Sequence, residues 1–462
     1  MLKDFVQTLG APELLLITAI AILVLLVLII KLKIHAFLAL IIVSIATAFA
    51  TQIPSNRIVE VLTSSFGATV GGVALLVGLG AMLGRMVEGS GGAHALAESL
   101  ISRFGEQRAP LALGVASLLF GFPIFFDAGL IVMLPIVFSV AKRLGGGILR
   151  YAIPAAGAFS VMHVFVPPHP GPVAAASFLH ADIGLLTIIG IIIAIPTWYV
   201  TSYLFGLFVG KRYVFPVPDL LSGGKEIEYK NPPSAATIVV VLLIPLVIIF
   251  MNTGLTTLKS AGVIEGTGYW FGVLTTIGST PVALLIAVLF ASYKLGYLRG
   301  LSGVDIEKML GSALGPVCGV ILITGAGGMF GGVLRASGIG DALAGSLSSI
   351  GLPVFVAGFV VAAILRIAQG SATVALTTAA SLIETAVLNS GYNSFQIIAT
   401  VIAVAAGSVV CSHVNDSGFW LVSRFLEIDE KTTFKTWTVM ETTIGIMAFL
   451  LAGMLFLVAS IF

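Results

Sequence analysis

Apolar runs of about helix length alternate with short polar or Gly- and Pro-rich stretches along this chain. A helix needs about 20 apolar residues to cross a bilayer. The pattern predicts spanning helices over Leu14–Ile30, Ala36–Ala50, Val70–Val87, Ile183–Val209, Ala236–Met251, Phe271–Tyr293, Gly315–Leu334 and Trp437–Leu457. His94–Arg103 and Asp341–Ser349 are amphipathic, which is typical of helices at the membrane interface.

Two pairs of shorter apolar runs predict re-entrant hairpins, in which the chain enters the membrane and returns to the same side. The first pair is Pro110–Phe120 with Leu130–Ala141, and the second is Pro353–Leu365 with Val374–Asn389. The connecting segments, GFPIFFDAG and RIAQGSAT, bring Asp127 and Arg366 into the apolar region. Ionisable groups at membrane depth are costly and indicate function.

Two further apolar runs are interrupted by residues that cannot continue a helix. Tyr151–Val164 leads into VPPHPGP, where four prolines stop the helix, and a short helical piece follows to Leu179. Phe395–Val410 leads into Cys411–Trp420, whose Asn-Asp-Ser-Gly is turn chemistry. A helix can break at membrane depth where the freed backbone lines a cavity, and transporters hold substrates at such breaks.

The two halves of the chain repeat this plan in their residues. Gly72–Leu100 aligns without a gap to Gly319–Leu347, with about half the positions identical. The same offset places Pro170-Gly171 on Ser417-Gly418, and so the first helix break on the second. The sequence therefore predicts an all-α polytopic membrane protein of two repeats, each with five crossings, a re-entrant hairpin and a broken helix.

An odd number of crossings in each half makes the second repeat inverted relative to the first. The predicted divisions are residues 1–210 for the first inverted repeat, 211–234 for a cytoplasmic linker and 235–462 for the second. This topology puts four Lys and Arg residues on the side of the N-terminus and eighteen on the other. Because basic residues favour the cytoplasmic side, both termini are expected outside.

Composition supports a membrane protein and excludes a soluble enzyme. Of the 462 residues, 58% are hydrophobic and 10% charged, whereas soluble domains carry about 25% charged residues. The mean hydropathy is +1.12. The net charge of +2 gives no reason to expect a nucleic-acid partner, whereas membrane lipid is expected around the apolar helices.

The hairpin turns and the helix breaks are expected to meet near the midplane and to bind a small anionic substrate. The predicted substrate-binding residues are Arg366, Gln369, Gly370, Ser371 and Thr373 of the second hairpin, His169 and Gly171 of the first break, and His413, Asn415 and Ser417 of the second. Arg366 suits a carboxylate, which a guanidinium binds through paired hydrogen bonds. The alternative is an internal ion pair with Asp127 or Asp416.

Small residues at Gly370–Thr373 leave backbone N–H groups and hydroxyls free to face an anion at a helix N-terminus. Close helix packing is the alternative explanation of such small residues, and their position at a hairpin turn favours a functional role. Asp127 and Asp416 are the predicted coupling residues, because a desolvated carboxyl group can carry a proton near neutral pH. The histidines are alternative carriers. Glu384 and Glu441 also lie in apolar stretches, and the pattern assigns them no role.

Taken together, FFDAG, VPPHPGP, RIAQGSATVA and SHVNDSGFW resemble the gluconate permease family of carboxylate transporters. GAMLG at Gly80–Gly84 and KTWTVMETT at Lys435–Thr443 extend the resemblance over nearly the whole chain. The family is similar to a wider group of ion transporters with inverted repeats, two hairpins and a homodimeric scaffold. The resemblance implies a proton-coupled symporter for gluconate or a similar sugar acid in a bacterial inner membrane, acting as a homodimer.

Several alternatives stay open at this point. The family includes a D-serine carrier, and VPPHPGPVAAA and HADIG are similar to it, so a D-serine symporter is the second expectation. Coupling to Na⁺ instead of a proton is a further alternative. His413 and Asp416 also leave room for an intramembrane enzyme, although two matching breaks favour transport. Their spacing is a weak metal motif, so no metal is expected. No nucleotide-binding motif or cofactor is expected.

Overall fold

All regular elements in the described part of the chain are helices. The computed structural model describes residues 7–218, 231–260, 263–342, 353–413 and 416–461. Eight helices in these ranges are long and apolar enough to cross a bilayer, and shorter apolar helices accompany them. The chain is therefore an integral membrane protein with an all-α fold, as the hydropathy pattern predicts.

The first half of the chain contains ten helices in its described residues. They are α1 Ala11–Leu26, α2 Ala36–Ala50, α3 Ser55–Gly89, α4 Gly92–Phe104, α5 Ala109–Gly121, α6 Phe126–Leu144, α7 Leu149–Phe165, α8 Pro170–Phe178, α9 Ile183–Trp198 and α10 Phe205–Arg212. The π-helical turn Tyr199–Leu204 joins α9 to α10, and another, Val27–Lys31, extends α1.

The described residues of the second half contain eleven. They are α11 Ala235–Ser260, α12 Tyr269–Ile277, α13 Thr280–Ala291, α14 Gly303–Ser312, α15 Leu314–Ala336, α16 Val354–Gln369, α17 Ala372–Leu388, α18 Ser394–Gly407, α19 Ser417–Phe425, α20 Glu430–Thr433 and α21 Val439–Ala459. The π-helical turn Phe434–Thr438 joins α20 to α21.

Three sequence predictions need correction or lie outside the described residues. The predicted span Phe271–Tyr293 consists of two helices, because the chain turns at Gly278, where an added Cβ would lie 2.4 Å from Cβ of Asn252. Helix α3 begins at Ser55, fifteen residues before the predicted start of its apolar run. Most of the predicted amphipathic helix Asp341–Ser349 lies outside the described residues.

The broken helices lie at the centre of the molecule and the outer spans surround them. The apolar window of the first broken segment, Leu149–Phe178, is 89% buried, against 24% for Ala11–Ile29 and 28% for Glu430–Ala459. Ten of the fourteen residues of α18, from Ile398 to Gly407, are buried as well. A helix that is apolar all round and buried all round belongs to the protein interior, whereas the outer spans expose apolar side chains to lipid.

Small residues bring α3 of the first half against α15 of the second. A Cβ at Gly328 would lie 2.1 Å from Oγ1 of Thr69, and one at Gly332 would lie 2.0 Å from Oγ of Ser65. Glycines on α15 therefore allow an approach that any larger residue would prevent, as is common between membrane helices. This contact joins the two halves of the chain.

Candidate functional site

A cavity of about 400 Å³ lies where four helices begin. Residues from the first turns of α6, α8, α17 and α19 line it, among them Asp127, Pro170, Thr373 and Ser417. A helix N-terminus carries a partial positive charge and backbone N–H groups that lack partners within the helix, although Pro170 and Pro172 of α8 have no N–H. Both predicted hairpin turns and both predicted breaks thus meet at one cavity, whose backbone favours a negative charge.

The turn of the second hairpin, between α16 and α17, is only two residues long. Gly370 has a φ of +86°, a left-handed conformation that favours glycine, and its N–H donates to the Arg366 carbonyl at 2.9 Å. Ser371 caps α17, since its Oγ accepts from the Val374 N–H at 3.3 Å. Gly370, Ser371 and Thr373 all line the cavity.

Arg366 lies in the last turn of α16, is 3% exposed and lines the same cavity. One Nη donates to Oδ2 of Asp416 at 2.5 Å and the other donates to the Gly370 carbonyl. Of the two internal partners that the sequence offers, the structure therefore selects Asp416. The guanidinium joins the hairpin turn to the second helix break.

Asp416 is satisfied by protein donors on both oxygens. Its Oδ1 accepts from the Gly418 N–H at 3.0 Å, so that it caps α19. Its Oδ2 accepts from Arg366 and from the Ser412 hydroxyl, which in turn accepts from Nε1 of Trp437 at 2.7 Å. This network supports the broken backbone, and it gives Asp416 a structural task besides its predicted coupling role.

Asp127 differs from Asp416, although both are predicted coupling acids. It lies in the first turn of α6, and its side chain is exposed at the cavity. No described residue donates a hydrogen bond to its carboxylate or forms an ion pair with it. Of these two acids, Asp127 is thus the one whose oxygens are open to a substrate, a proton or a cation.

The first break places its histidines against the first hairpin. His169 is 2% exposed, and its Nε2 donates to the Gly121 carbonyl at 2.8 Å. The His169 ring lies 5.0 Å from the His163 ring and 5.8 Å from that of Phe125. His163 lines the cavity and His169 does not. His169 therefore supports the site from behind.

The other predicted substrate-binding residues divide into three groups. Ser417 lines the cavity and is exposed in it. Gly171 and His413 do not line it: a Cβ at Gly171 would lie 2.9 Å from Leu376, and Nε2 of His413 donates to the Ile367 carbonyl at 2.8 Å. Asn415 and the side chain of Gln369 lie outside the described part of the structure.

The cavity also contains two polar residues to which sequence reasoning gave no role. Ser160 of α7 and Glu441 of α21 line it, and Ser160 Oγ donates to Oε2 of Glu441 at 3.0 Å. Glu441 is 2% exposed. In the sequence, Glu441 is recognisable as an acidic residue inside an apolar helix, but a single acidic residue does not indicate which helix its side chain faces. The aromatic side chains of Phe125, Phe126 and Trp437 complete the walls.

Comparison with known proteins also indicates a permease. The chain is 40% identical over 425 residues to the inner membrane permease YgbN of Escherichia coli, covering 90% of this chain and 92% of that protein. It is 37% identical over 427 residues to a gluconate permease of Pseudomonas aeruginosa, covering 91% and 93%. The crystal structure of the YdaH transporter of Alcanivorax borkumensis has a similar fold, with a TM-score of 0.60, 15% identity and coverage of 87% and 89%.

The model of the GntP family permease matches residues 13–459, nearly the whole chain. The match agrees with the resemblance that the hairpin and break motifs indicate. It also removes the intramembrane enzyme from the open alternatives, since the family consists of permeases. The chain belongs to the GntP family of permeases.

Proposed function

We propose that this protein is a secondary active transporter that takes up gluconate or a similar small sugar acid together with a proton. The observation that carries the proposal is the convergence of four helix N-termini and the hydroxyls of Ser371, Thr373 and Ser417 on one cavity. Helix N-termini and hydroxyl donors suit a carboxylate. Its volume, about 400 Å³, lies in the range of small-molecule sites.

The relatives support the choice of substrate. The Pseudomonas aeruginosa protein and a protein of Bacillus subtilis, 34% identical to this chain over 417 residues, are both named gluconate permeases. The name of the Escherichia coli relative gives the inner membrane as its place, which we propose for this chain also.

The substrate carboxylate binds at the start of α17, and its hydroxyls face Ser417 and Asp127. Backbone N–H groups there are not opposed by a fixed anion, because Arg366 and Asp416 neutralise each other. Arg366 holds the turn of the second hairpin in place through Asp416 and the Gly370 carbonyl. Its direct contact with the substrate stays a prediction.

Alternating access in this proposal uses two inverted repeats, residues 1–210 and 235–462, joined by a cytoplasmic linker over 211–234. The helices give support: α8 and α19 each have nine residues, and their first residues, Pro170 and Ser417, are separated by the offset of the sequence repeat. Helices α3 and α15 end at Gly89 and Ala336, at the same offset. We also propose that both termini lie outside and that the protein acts as a homodimer.

The test is uptake of labelled gluconate by proteoliposomes under an imposed pH difference. The proposal expects gluconate to accumulate and unlabelled gluconate to compete better than D-serine. Stronger competition by D-serine would assign the protein to the second substrate class. Accumulation that depends on a Na⁺ gradient and not on the pH difference would mean that Na⁺, and not a proton, is the coupling ion.

Coupling through Asp127 is tested by Asp127→Asn, which keeps the shape of the side chain and removes its charge. We expect the variant to lose accumulation driven by the pH difference and to keep exchange of internal for external gluconate, because exchange needs no net proton movement. Asp416→Asn is the matched variant of the second break. If both variants still accumulate gluconate, neither acid is the obligatory carrier.

A further inference from the structure

The carboxyl group of Glu441 is the buried acid at the cavity that is only half satisfied. Its Oε2 accepts from Ser160, whereas its Oε1 has no hydrogen-bond partner among the described residues. Glu441 is 2% exposed and Ser160 is 4% exposed. A buried carboxylate oxygen without a donor is costly, while the acid form can keep its proton on that oxygen.

The charges around Glu441 leave it without a counter-ion of its own. Arg366 and Asp416 are the charged groups that face it, and these two are paired with each other at 2.5 Å. Asp127 lines the same cavity and adds a second acidic group. A cation that is already held by one carboxylate does little to stabilise another in the ionised form.

The helices packed on α21 supply few other titratable groups. Helix α7 supplies His163, which lies one turn after Ser160 and lines the cavity. Helices α9 and α18 contain no titratable side chain. The π-helical turn after α9 carries the phenols of Tyr199 and Tyr203, and Lys435 in the turn before α21 is exposed. Beside Glu441, Thr442 accepts from the backbone N–H of Cys411.

We propose that Glu441, hydrogen-bonded by Ser160, is a second proton-binding site of the transporter, and that its proton is required for the substrate anion to bind. The inference rests on the proposed function. A carboxylate at Glu441 and a substrate carboxylate would repel each other in one desolvated cavity. Proton and anion therefore each favour the binding of the other, which couples them thermodynamically. The proton binds from outside before the substrate and leaves to the cytoplasm when the substrate has dissociated.

Glu441→Gln tests this site, because the amide keeps the size of the side chain and the Ser160 contact but cannot titrate. Gluconate binding to the purified protein is measured across pH, with Asp127→Asn as the matched variant. In the parent, we expect the Kd to rise by up to about tenfold per pH unit above the titration range for one linked proton. In Glu441→Gln the dependence of the Kd on pH should be weaker by the contribution of one linked proton. A parental slope in Glu441→Gln, with the slope lost only in Asp127→Asn, overturns the inference.

An infrared measurement separates failure of this inference from failure of the proposed function. Protonated carboxyl groups give a carbonyl band that carboxylates lack. We expect the substrate-free parent at neutral pH to show such a band, and Glu441→Gln to lack it. If the parent binds no gluconate, the proposed function fails, while the band still decides the protonation of Glu441. A band unchanged in Glu441→Gln means that Glu441 does not hold the proton.

Discussion

The two helix breaks occupy equivalent places in the fold but interrupt the helix with different residue types. Each is followed by a nine-residue helix whose N-terminus faces the cavity. The first break, VPPHPGP, contains four prolines, which have no N–H to satisfy. The second, Cys411–Trp420, has no proline and must satisfy its backbone in other ways. In an apolar interior, every free donor needs a partner.

Side chains supply those partners in the second break. Oγ1 of Thr442 accepts from the Cys411 N–H at 3.1 Å, Oδ1 of Asp416 accepts from the Gly418 N–H, and Thr438 donates to the Ser412 carbonyl. A helix can thus be interrupted at membrane depth either by removing backbone donors or by capping them. Only the second way introduces charge, so an ion pair holds the second break, while the first is held by packing and by the hydrogen bond from His169 to the Gly121 carbonyl.

The largest effect is expected from breaking the ion pair of the second break. Asp416→Asn leaves Arg366 buried without its counter-ion, and removing one partner of a buried pair costs about 3–5 kcal/mol. The matched variant is His169→Gln, at the corresponding position of the first break, where the amide N–H can still reach the Gly121 carbonyl. In thermal unfolding experiments in detergent, the melting temperature should fall strongly for Asp416→Asn and only slightly for His169→Gln. Equal losses would mean that the breaks are held alike.

Arg366→Lys sharpens the same contrast with a smaller change. The charge is kept, but an ammonium lacks the planar fork that reaches both Asp416 and the Gly370 carbonyl. We expect uptake to fall roughly tenfold or more while the protein still folds, for a loss of about 1.5–3 kcal/mol. Uptake, and the thermal stability of the protein in detergent, are measured on the same preparation. Parental uptake would remove Arg366 from the transport mechanism.

Ser371→Ala and Thr373→Val test the anion end of the cavity. Each variant removes a hydroxyl with little change in packing, so a substrate acceptor loses about 1–3 kcal/mol and the KM for gluconate should rise roughly five- to hundredfold. Ser381→Ala is the control, since this hydroxyl of α17 donates to the Thr378 carbonyl and does not line the cavity. Unchanged KM in both test variants would favour helix packing as the reason for these small residues.

The smallest effect is expected at the first break. Pro170→Ala adds one N–H at the first position of α8, where a helix leaves that group unpaired in any case. We expect a change in stability below about 1 kcal/mol and uptake near that of the parent. A large loss of uptake with normal folding would show that the prolines serve the substrate site directly.

Much of this arrangement was predictable because it follows local rules. Prolines, glycines and Asn-Asp-Ser-Gly locate the breaks and turns, and apolar run lengths separate spans from half-helices. Asp127, Arg366, Ser371, Thr373 and Ser417 consequently line one cavity, and their roles in binding and coupling stay predictions.

What the sequence could not supply was the direction of side chains across helices that meet only in the tertiary fold. His169 and His413 adjoin the breaks but direct their rings to backbone carbonyls outside the cavity. Glu441 lies outside both hairpin turns and both helix breaks and still faces the cavity, because α21 packs against α7. The choice of Asp416 as partner of Arg366 likewise depends on how α16 and α19 approach each other.

The most direct test of the central claim is an experimental structure with gluconate bound. We expect the carboxylate at the start of α17, within about 2.7–3.2 Å of the donors of Ser371 and Thr373, with Arg366 still paired to Asp416. A carboxylate bound by Arg366 with Asp416 displaced, or a substrate outside this cavity, would contradict it.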